Sequence, residues 1–367
     1  MHSGVQRGSH RPRLIFWELT TGCNLRCIHC RASATELMSP SDLTYTECCD
    51  IIDQIAEYAP LILVLSGGEP LWRRDVFDIA RRAVSKNLRV ALATNGTLVD
   101  EAMAFRIQDS GIARVAISLD GADRVTHDTF RGVAGAFEAA IGGIRHLKNL
   151  GISTQINTSV ARHNVHQLPD ILKLAQSLSV DAFHLFLLVP VGCGLTIAED
   201  QSIQGEEYER ILNWFYERSL DSNLELKATC APHYYRILRQ RRAEARRAGL
   251  AVPELATHGM HATTRGCLAG SSVCFISHQG EVYPCGYLPV SAGNLRNVRL
   301  GEVWESAPVF ASLRDLNRLQ GKCGICEFKQ VCMGCRARAY GMTGDYLAEE
   351  PFCIYQPNKA RQTLNEP

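Results

Sequence analysis

Three cysteines, Cys23, Cys27 and Cys30, fall within the eight residues "CNLRCIHC". Thiolates bind zinc and iron–sulfur clusters, and most such sites use four ligands. The C-x3-C-x2-C spacing supplies three. Zinc would close its site with a fourth residue, and His29 lies inside the stretch. A three-thiolate cubane instead leaves one iron open to a small molecule. Eight more cysteines lie between Cys267 and Cys353, namely Cys267, Cys274, Cys285, Cys323, Cys326, Cys332, Cys335 and Cys353. The block "CGICEFKQVCMGC" reads C-x2-C-x5-C-x2-C, which alone would also fit a zinc ribbon. Cys48, Cys49, Cys193 and Cys230 stand apart.

The elements that must position these groups come from the periodicity. Six apolar runs read as strands, at Leu14–Leu19, Leu61–Ser66, Arg89–Thr94, Arg114–Asp120, Thr154–Val160 and Ala182–Val189. Helical segments lie between them. The first starts at Thr44 with a capping box to Glu47, and others run near 75–86, 100–109, 135–149 and 166–178. Such alternation predicts an α/β fold with a parallel sheet and right-handed crossovers, a partial (βα)6 TIM-like barrel. Sites in such folds gather at the C-terminal strand ends. There the sequence places the cysteine cluster, "SGGEP" (66–70), "TNGT" (94–97), "SLDG" (118–121) and "NTSV" (157–160).

After Val189 the pattern changes. Residues 206–220 read as a helix with an apolar stripe, "LELKAT" as a strand, and 231–247 as an apolar start running into a basic helix. Residues 249–264 read as a linker. From Arg265 onward cysteines, glycines and turns dominate, so the region needs metal staples to hold its shape. The expected division is a disordered tail at 1–12, the barrel at 13–200, a helical bridge at 201–264, a small, irregular, cysteine-rich domain at 265–358, and a tail at 359–367.

Composition excludes several classes. The chain has 367 residues, 46% of them hydrophobic, with a formal net charge of +1, so no bulk field favours nucleic acid or a membrane surface. Runs such as "FHLFLLVPV" are too short to cross a bilayer. The opening "MHSGVQRGSHRPR" lacks the apolar stretch of a secretion signal, so a cytoplasmic setting is expected. Fifteen cysteines there argue for ligation rather than disulfides.

With the triad, "GGEP" and the strand order together, the chain resembles the radical SAM enzymes. That resemblance implies a 4Fe–4S cluster on Cys23, Cys27 and Cys30 whose open iron chelates S-adenosylmethionine (SAM), giving a 5′-deoxyadenosyl radical that takes a hydrogen atom from substrate. His29 is then a spacer. Gly67 and Gly68 suit close approach of backbone to a ligand. The resemblance places SAM contacts at Gly67, Gly68, the backbone around Glu69, Asn95, Ser118, Asp120, Arg131 and Asn157. Asn, Ser and Asp at strand ends are also ordinary turn-formers and helix caps.

"GEVYPC" (280–285), the cysteine block and Cys353 resemble a SPASM domain, a holder of auxiliary 4Fe–4S clusters. One or two such clusters are implied, with Cys267, Cys274, Cys285 and Cys335 on one and Cys323, Cys326, Cys332 and Cys353 on the other. Cys274, in "SVCFISH", is the weakest member, since a free cysteine in an apolar run often packs as a small hydrophobe.

The local stretches "FWELTTGCNLRCIHCRASA", "LKATCAPHYYRILRQ", "CFISHQGEVYPCGYLPVSAGN" and "CRARAYGMTGDYLAEEPFC" further resemble the haem b synthases of the siroheme-dependent haem pathway. These act as oxidative decarboxylases of iron-coproporphyrin III. Enzymes of the didecarboxysiroheme and denitrification-haem branches, and peptide-modifying SPASM maturases, are the alternatives. The implied partners are a tetrapyrrole and an external electron donor or acceptor protein. Arginines pair well with propionates. Arg236 and the following Arg239, Arg241, Arg242, Arg246 and Arg247 are therefore candidates, although a solvated basic helix face explains the distal ones. Cys230 or His233 is a candidate ligand of the porphyrin iron, with Tyr234 beside them. His233 and the tyrosines would equally cap and pack a helix.

Overall fold

A computed structural model describes residues 10–251 and 265–358. The first nine residues of the expected N-terminal tail, most of the linker and the C-terminal tail lie outside the described residues. Within the N-terminal part, the His10 carbonyl accepts from Trp304 Nε1 and Arg11 donates to the Tyr58 carbonyl.

Among the described residues, ten strands form one sheet: β1 (Leu14–Glu18), β2 (Ile62–Ser66), β3 (Arg89–Thr94), β4 (Arg114–Ser118), β5 (Thr154–Val160), β6 (Ala182–Leu187), β7 (Glu225–Thr229), β8 (Val273–Ile276), β9 (Glu281–Tyr283) and β10 (Gly293–Asn294). Their order is β10-β9-β8-β1-β2-β3-β4-β5-β6-β7. All pairings from β8 through β7 are parallel, and the last two strands turn back antiparallel. The six expected strands are present with ends within two residues. Two further strands extend them. β7 comes from the bridging segment, which is therefore not only helical. β8 comes from the cysteine-rich region and lies beside β1. The barrel and the C-terminal part thus share one sheet.

Alternation along the strands explains the two layers. Ile15, Trp17, Leu63, Leu65, Val90, Leu92, Val115, Ile117 and Ile156 are buried in the main hydrophobic core, as is the apolar face of the helix at Tyr45–Ala56. The Thr44–Glu47 capping box opens that helix as the sequence predicts. The intervening residues face the barrel interior. They are small where the site lies: Ser66, Ala93, Ser118 and Ser159 line one cavity. An additional helix, Arg124–Arg131, sits between β4 and β5 and ends at Gly132 with φ of 72°.

Candidate active site

The cysteine loop leaves β1 and folds over the C-terminal ends of β2 to β6. Its thiols line a cavity of about 390 Å3 together with Gly67, Gly68, Asn95, Ser118 and Arg131. The structure therefore gathers eight of the sequence candidates at one rim. Each thiol accepts a donor: Leu25 N at 3.4 Å to Cys23, Ala34 N at 3.4 Å to Cys30, and Arg131 Nη1 at 3.6 Å to Cys27. Burial pushes the Cys23 thiol up to about 11, and it raises Cys27 too, with Arg131 pulling the latter back. Such thiols stay protonated until a metal centre displaces the proton.

His29 is not turned to the thiols as a fourth ligand. Its ring stacks on Phe130 with centroids 3.9 Å apart, and burial holds it neutral, well below its usual range. Among the described residues, no three His, Cys, Asp or Glu side chains stand close enough to grip a single ion. The corners of a cubane space their thiols more widely than one metal ion does. Three donor-supplied thiols on one loop beside an open cavity fit a cluster with one free iron.

The two glycines of the β2 loop answer to the cysteine loop itself. A Cβ on Gly67 would lie 2.8 Å from the Thr20 carbonyl oxygen, and one on Gly68 only 2.4 Å from that of Gly22. Gly68 N donates to Thr20 O at 2.7 Å, and Glu69 N to Gly22 O at 2.8 Å. On the other flank, Gly192, at φ 55°, passes beneath the Cys30 and Arg31 carbonyls, and Cys193 N donates to Cys30 O at 2.9 Å. Backbone contact on both sides fixes the triad.

Two expected SAM contacts, Asp120 and Asn157, sit behind the cavity rather than on it, as does the side chain of Glu69, whose backbone is the expected contact. The Glu69 carboxyl is fully buried and accepts from Leu71 N, Thr94 Oγ1 and Asn95 N at 3.0, 2.8 and 2.8 Å. It ties the β2 loop to the β3 loop, and burial pushes it up to about 7 despite those donors. Asp120 is fully buried, accepts Ser159 N at 2.7 Å and pairs with Arg131 at 2.5 Å. Burial holds its carboxyl above the usual range even beside that arginine. Burial also works against the Arg131 charge, but Asp120 and Cys27 outweigh it and keep the guanidinium charged. Asn157 accepts from Gln155 Nε2 and lies two residues short of Ser159, the β5 residue that does line the cavity.

The cavity has walls of different character. Phe186, Leu188 and Val189 make one side apolar, whereas Arg26, Arg31 and Arg131 make the other basic. Arg31 donates to Glu18 Oε1 at 2.6 Å, stacks over Phe275 at 4.5 Å and reaches the Gly286 carbonyl at 3.3 Å. It couples the triad to the C-terminal part. Arg26 is exposed, and its partner Glu36 is exposed too. Tyr287 completes the lining. Sequence reasoning missed Arg26, Arg31, Ser159, Phe186 and Tyr287. Arg26 and Arg31 flank triad cysteines, a signal that could have marked them. Tyr287 is distant in sequence, so no local signal existed.

The expected substrate residues are elsewhere. His233 and Arg236 line a separate small cavity with Cys323, Cys326, Cys332 and Cys353. His233 is buried, burial lowers it to about 3, and its ring meets Tyr208 edge-on at 4.8 Å. Arg236 is held by Glu209 through a 2.9 Å bond and a second at 2.5 Å. Tyr234 packs on Phe215 and donates to Ser219 Oγ at 3.3 Å. None of these, nor Cys230, lines the triad cavity. Arg241 is bonded to Asn213, also away from it.

The second cysteine quartet, Cys323, Cys326, Cys332 and Cys353, comes together around that small cavity. Of the first, burial raises the Cys285 and Cys335 thiols, and neighbouring Cys267 raises both further. Cys274 does not join them. It is fully buried on β8, level with Ile15 of β1, and shares the core with Ile15, Trp17 and Ile276. Residues side by side in a parallel pair point to one face. Cys274 therefore points outward into the core, where Arg314 is the charged group that acts on it. Phe275 next to it points inward, against Arg31.

Residues 17–175 match the radical SAM superfamily and residues 267–336 the SPASM iron–sulfur cluster-binding domain. The chain is 50% identical to the AdoMet-dependent heme synthase of Methanosarcina barkeri, over 96% of this chain and 99% of that one. It is 46% identical to the AdoMet-dependent heme synthase of Nitratidesulfovibrio vulgaris, over 97% and 95% of the two chains. In fold it is similar to Streptococcus suis SuiB bound to S-adenosylmethionine, with a TM-score of 0.71 at 17% identity over 94% of this chain and 78% of that one.

Proposed function

The chain belongs to the radical SAM/SPASM enzymes of haem synthesis, and on that premise we propose that it converts two propionate side chains of iron-coproporphyrin III to vinyl groups, yielding haem b. What carries this reading is full-length likeness to AdoMet-dependent heme synthases at up to 50% identity. Family membership brings a SAM-binding 4Fe–4S cluster, auxiliary clusters and SAM. When bound, the triad cluster and SAM supply a 5′-deoxyadenosyl radical as hydrogen-atom acceptor.

For each propionate, the β-carbon loses one hydrogen atom. The bond to the carboxylate carbon then breaks, carbon dioxide leaves, and one electron passes to a one-electron acceptor. An external redox protein is the proposed supplier of the priming electron and final taker of the departing one.

The residues divide this work. Cys23, Cys27 and Cys30 hold the cluster. Arg131, charged and anchored by Asp120, faces the cavity beside Cys27, which supports its assignment as the partner of the SAM carboxylate. The small floor of Ser66, Ala93, Ser118 and Ser159 leaves room for a nucleoside, and Phe186, Leu188 and Val189 offer an apolar face for a macrocycle. Arg31 is held by Glu18. Arg26 is the cavity-lining cation assigned to a substrate carboxylate, because its exposed pair with Glu36 is worth little and exchanges readily.

No helix among the described residues is long and apolar enough to cross a membrane. The test is anaerobic incubation of the reconstituted enzyme with SAM, reductant and iron-coproporphyrin III. Mono- and divinyl products by mass spectrometry are expected. SAM cleavage without either product would overturn the substrate assignment.

A further inference from the structure

Cys274 leaves the first auxiliary set with three thiols, and another cysteine stands among them. Cys230 follows directly on β7, at the same rim as the triad cavity. Burial raises its thiol, and the neighbouring thiols of Cys335, Cys285 and Cys267 raise it further. Packing beside Cys335 and Cys267 places the Cys230 segment next to them. Arg338, three residues beyond Cys335, donates to the Cys230 carbonyl at 2.8 Å. Gly266, next to Cys267, packs so tightly on Pro232 that an added Cβ would lie 2.7 Å from the proline Cβ. Tyr287 lies two residues beyond Cys285; burial raises its phenol, and the neighbouring thiols of Cys230, Cys285 and Cys335 raise it further.

The surroundings hold Cys230 in a defined place. It adopts φ of 55°, a conformation side chains seldom take. Tyr208 OH donates to the same carbonyl at 3.2 Å, and Arg338 is locked in turn by buried Glu350. Cys230, Cys267 and Cys285 keep partial accessibility, although the desolvating shell around Cys230 and Cys285 is deep. Cys274, by contrast, has no exposed surface and sits in the core beside Ile15 of β1.

We propose that Cys230, not Cys274, is the fourth thiolate of the first auxiliary cluster, with Cys267, Cys285 and Cys335. This rests on the SPASM region holding auxiliary clusters. It assigns a ligand from the barrel sheet itself, outside the SPASM cysteines. Tyr287, which also lines the triad cavity, then stands between that cluster and the active site.

The test uses the full chain with Cys23, Cys27 and Cys30 all replaced by alanine, so that auxiliary clusters alone are counted. Adding Cys230→Ala should abolish or alter one of two reduced-cluster EPR signals and lower iron by up to about half. Adding Cys274→Ala should leave both signals and the iron content as in the parent. Unchanged spectra in Cys230→Ala, or loss of a signal in Cys274→Ala, overturn the assignment. A parent without auxiliary iron would instead overturn the cluster reading beneath it. A second measurement needs no substitution: alkylation of the unmodified chain with iodoacetamide before and after reconstitution. Cys230 should become protected together with Cys267, Cys285 and Cys335. Equal labelling of Cys230 in both states contradicts the proposal. A Cys230→Ala enzyme with intact clusters and a shift only in the substrate haem spectrum would return Cys230 to the porphyrin iron, and also overturns it.

Discussion

The Arg131 guanidinium donates to the Sγ of Cys27 at 3.6 Å, so a helix between β4 and β5 reaches the centre of the cysteine loop. The same side chain pairs with fully buried Asp120. Removing either partner strands the other charge, which costs about 3–5 kcal/mol for a buried pair. Arg131→Ala and Asp120→Asn should each destabilise the apo-protein on that scale. The double variant should lose less than the sum, with a coupling of about 0.5–3 kcal/mol. Denaturant unfolding of the four proteins reads this directly, and strict additivity would show that the pair is not coupled. Arg131→Lys keeps the charge but not the planar fork that serves both partners. Its KM for SAM should rise at least about tenfold while folding is largely retained.

Gly68 carries a different kind of constraint. A β-carbon there meets the backbone oxygens of Gly22 and Thr21 at 2.4 and 2.6 Å, neither of which can rotate away. Gly68→Ala must displace the β2 loop from the triad. The expected cost is about 1–3 kcal/mol in stability. SAM cleavage should fall about a hundredfold, because reacting groups lose alignment. Gly142→Ala is the control, since Gly142, like Gly68, lacks a positive φ but has open space around it. It should keep both its stability and a SAM-cleavage rate near the parent's.

Glu69 supplies a pH signature. Its folded value near 7 lies above the ordinary 4.5, because burial outweighs its three donors. A carboxyl raised on folding stabilises the native state below the unfolded value, and that contribution is lost as pH rises through the folded one. Relative to Glu69→Gln, the apo-protein should therefore lose stability between about pH 4.5 and pH 7 and level off above it. Parallel stability profiles for the two proteins would contradict the placement of this carboxyl.

Much of the frame is legible in the sequence. The six barrel strands, the Thr44 capping box and both cysteine groups are written in local pattern. The helix Arg124–Arg131 was not read as one, since it is short and its buried residues include Thr126, His127 and Arg131. Glu69, Asp120 and Asn157 stand at the right strand ends, but depth behind the rim depends on which neighbour fills the space in front. Cys274 and Cys230 show the limit most clearly. Which face Cys274 occupies follows from its register with Ile15, more than two hundred residues away. That Cys230 lies near the segment of Cys335 follows from β7 joining β6 and from Arg338 reaching back to the Cys230 carbonyl. Pairings of this kind are non-local, and no spacing within a segment encodes them.

The central claim is hydrogen-atom removal from a propionate β-carbon in the cavity of the triad. Iron-coproporphyrin III deuterated at the propionate β-positions tests it most directly, with mass spectrometry of the 5′-deoxyadenosine formed. Deuterium should enter the 5′-deoxyadenosine as vinyl product appears, and both should be absent in Cys27→Ala. Vinyl product with unlabelled 5′-deoxyadenosine, or labelled substrate recovered intact while SAM is consumed, would contradict the account.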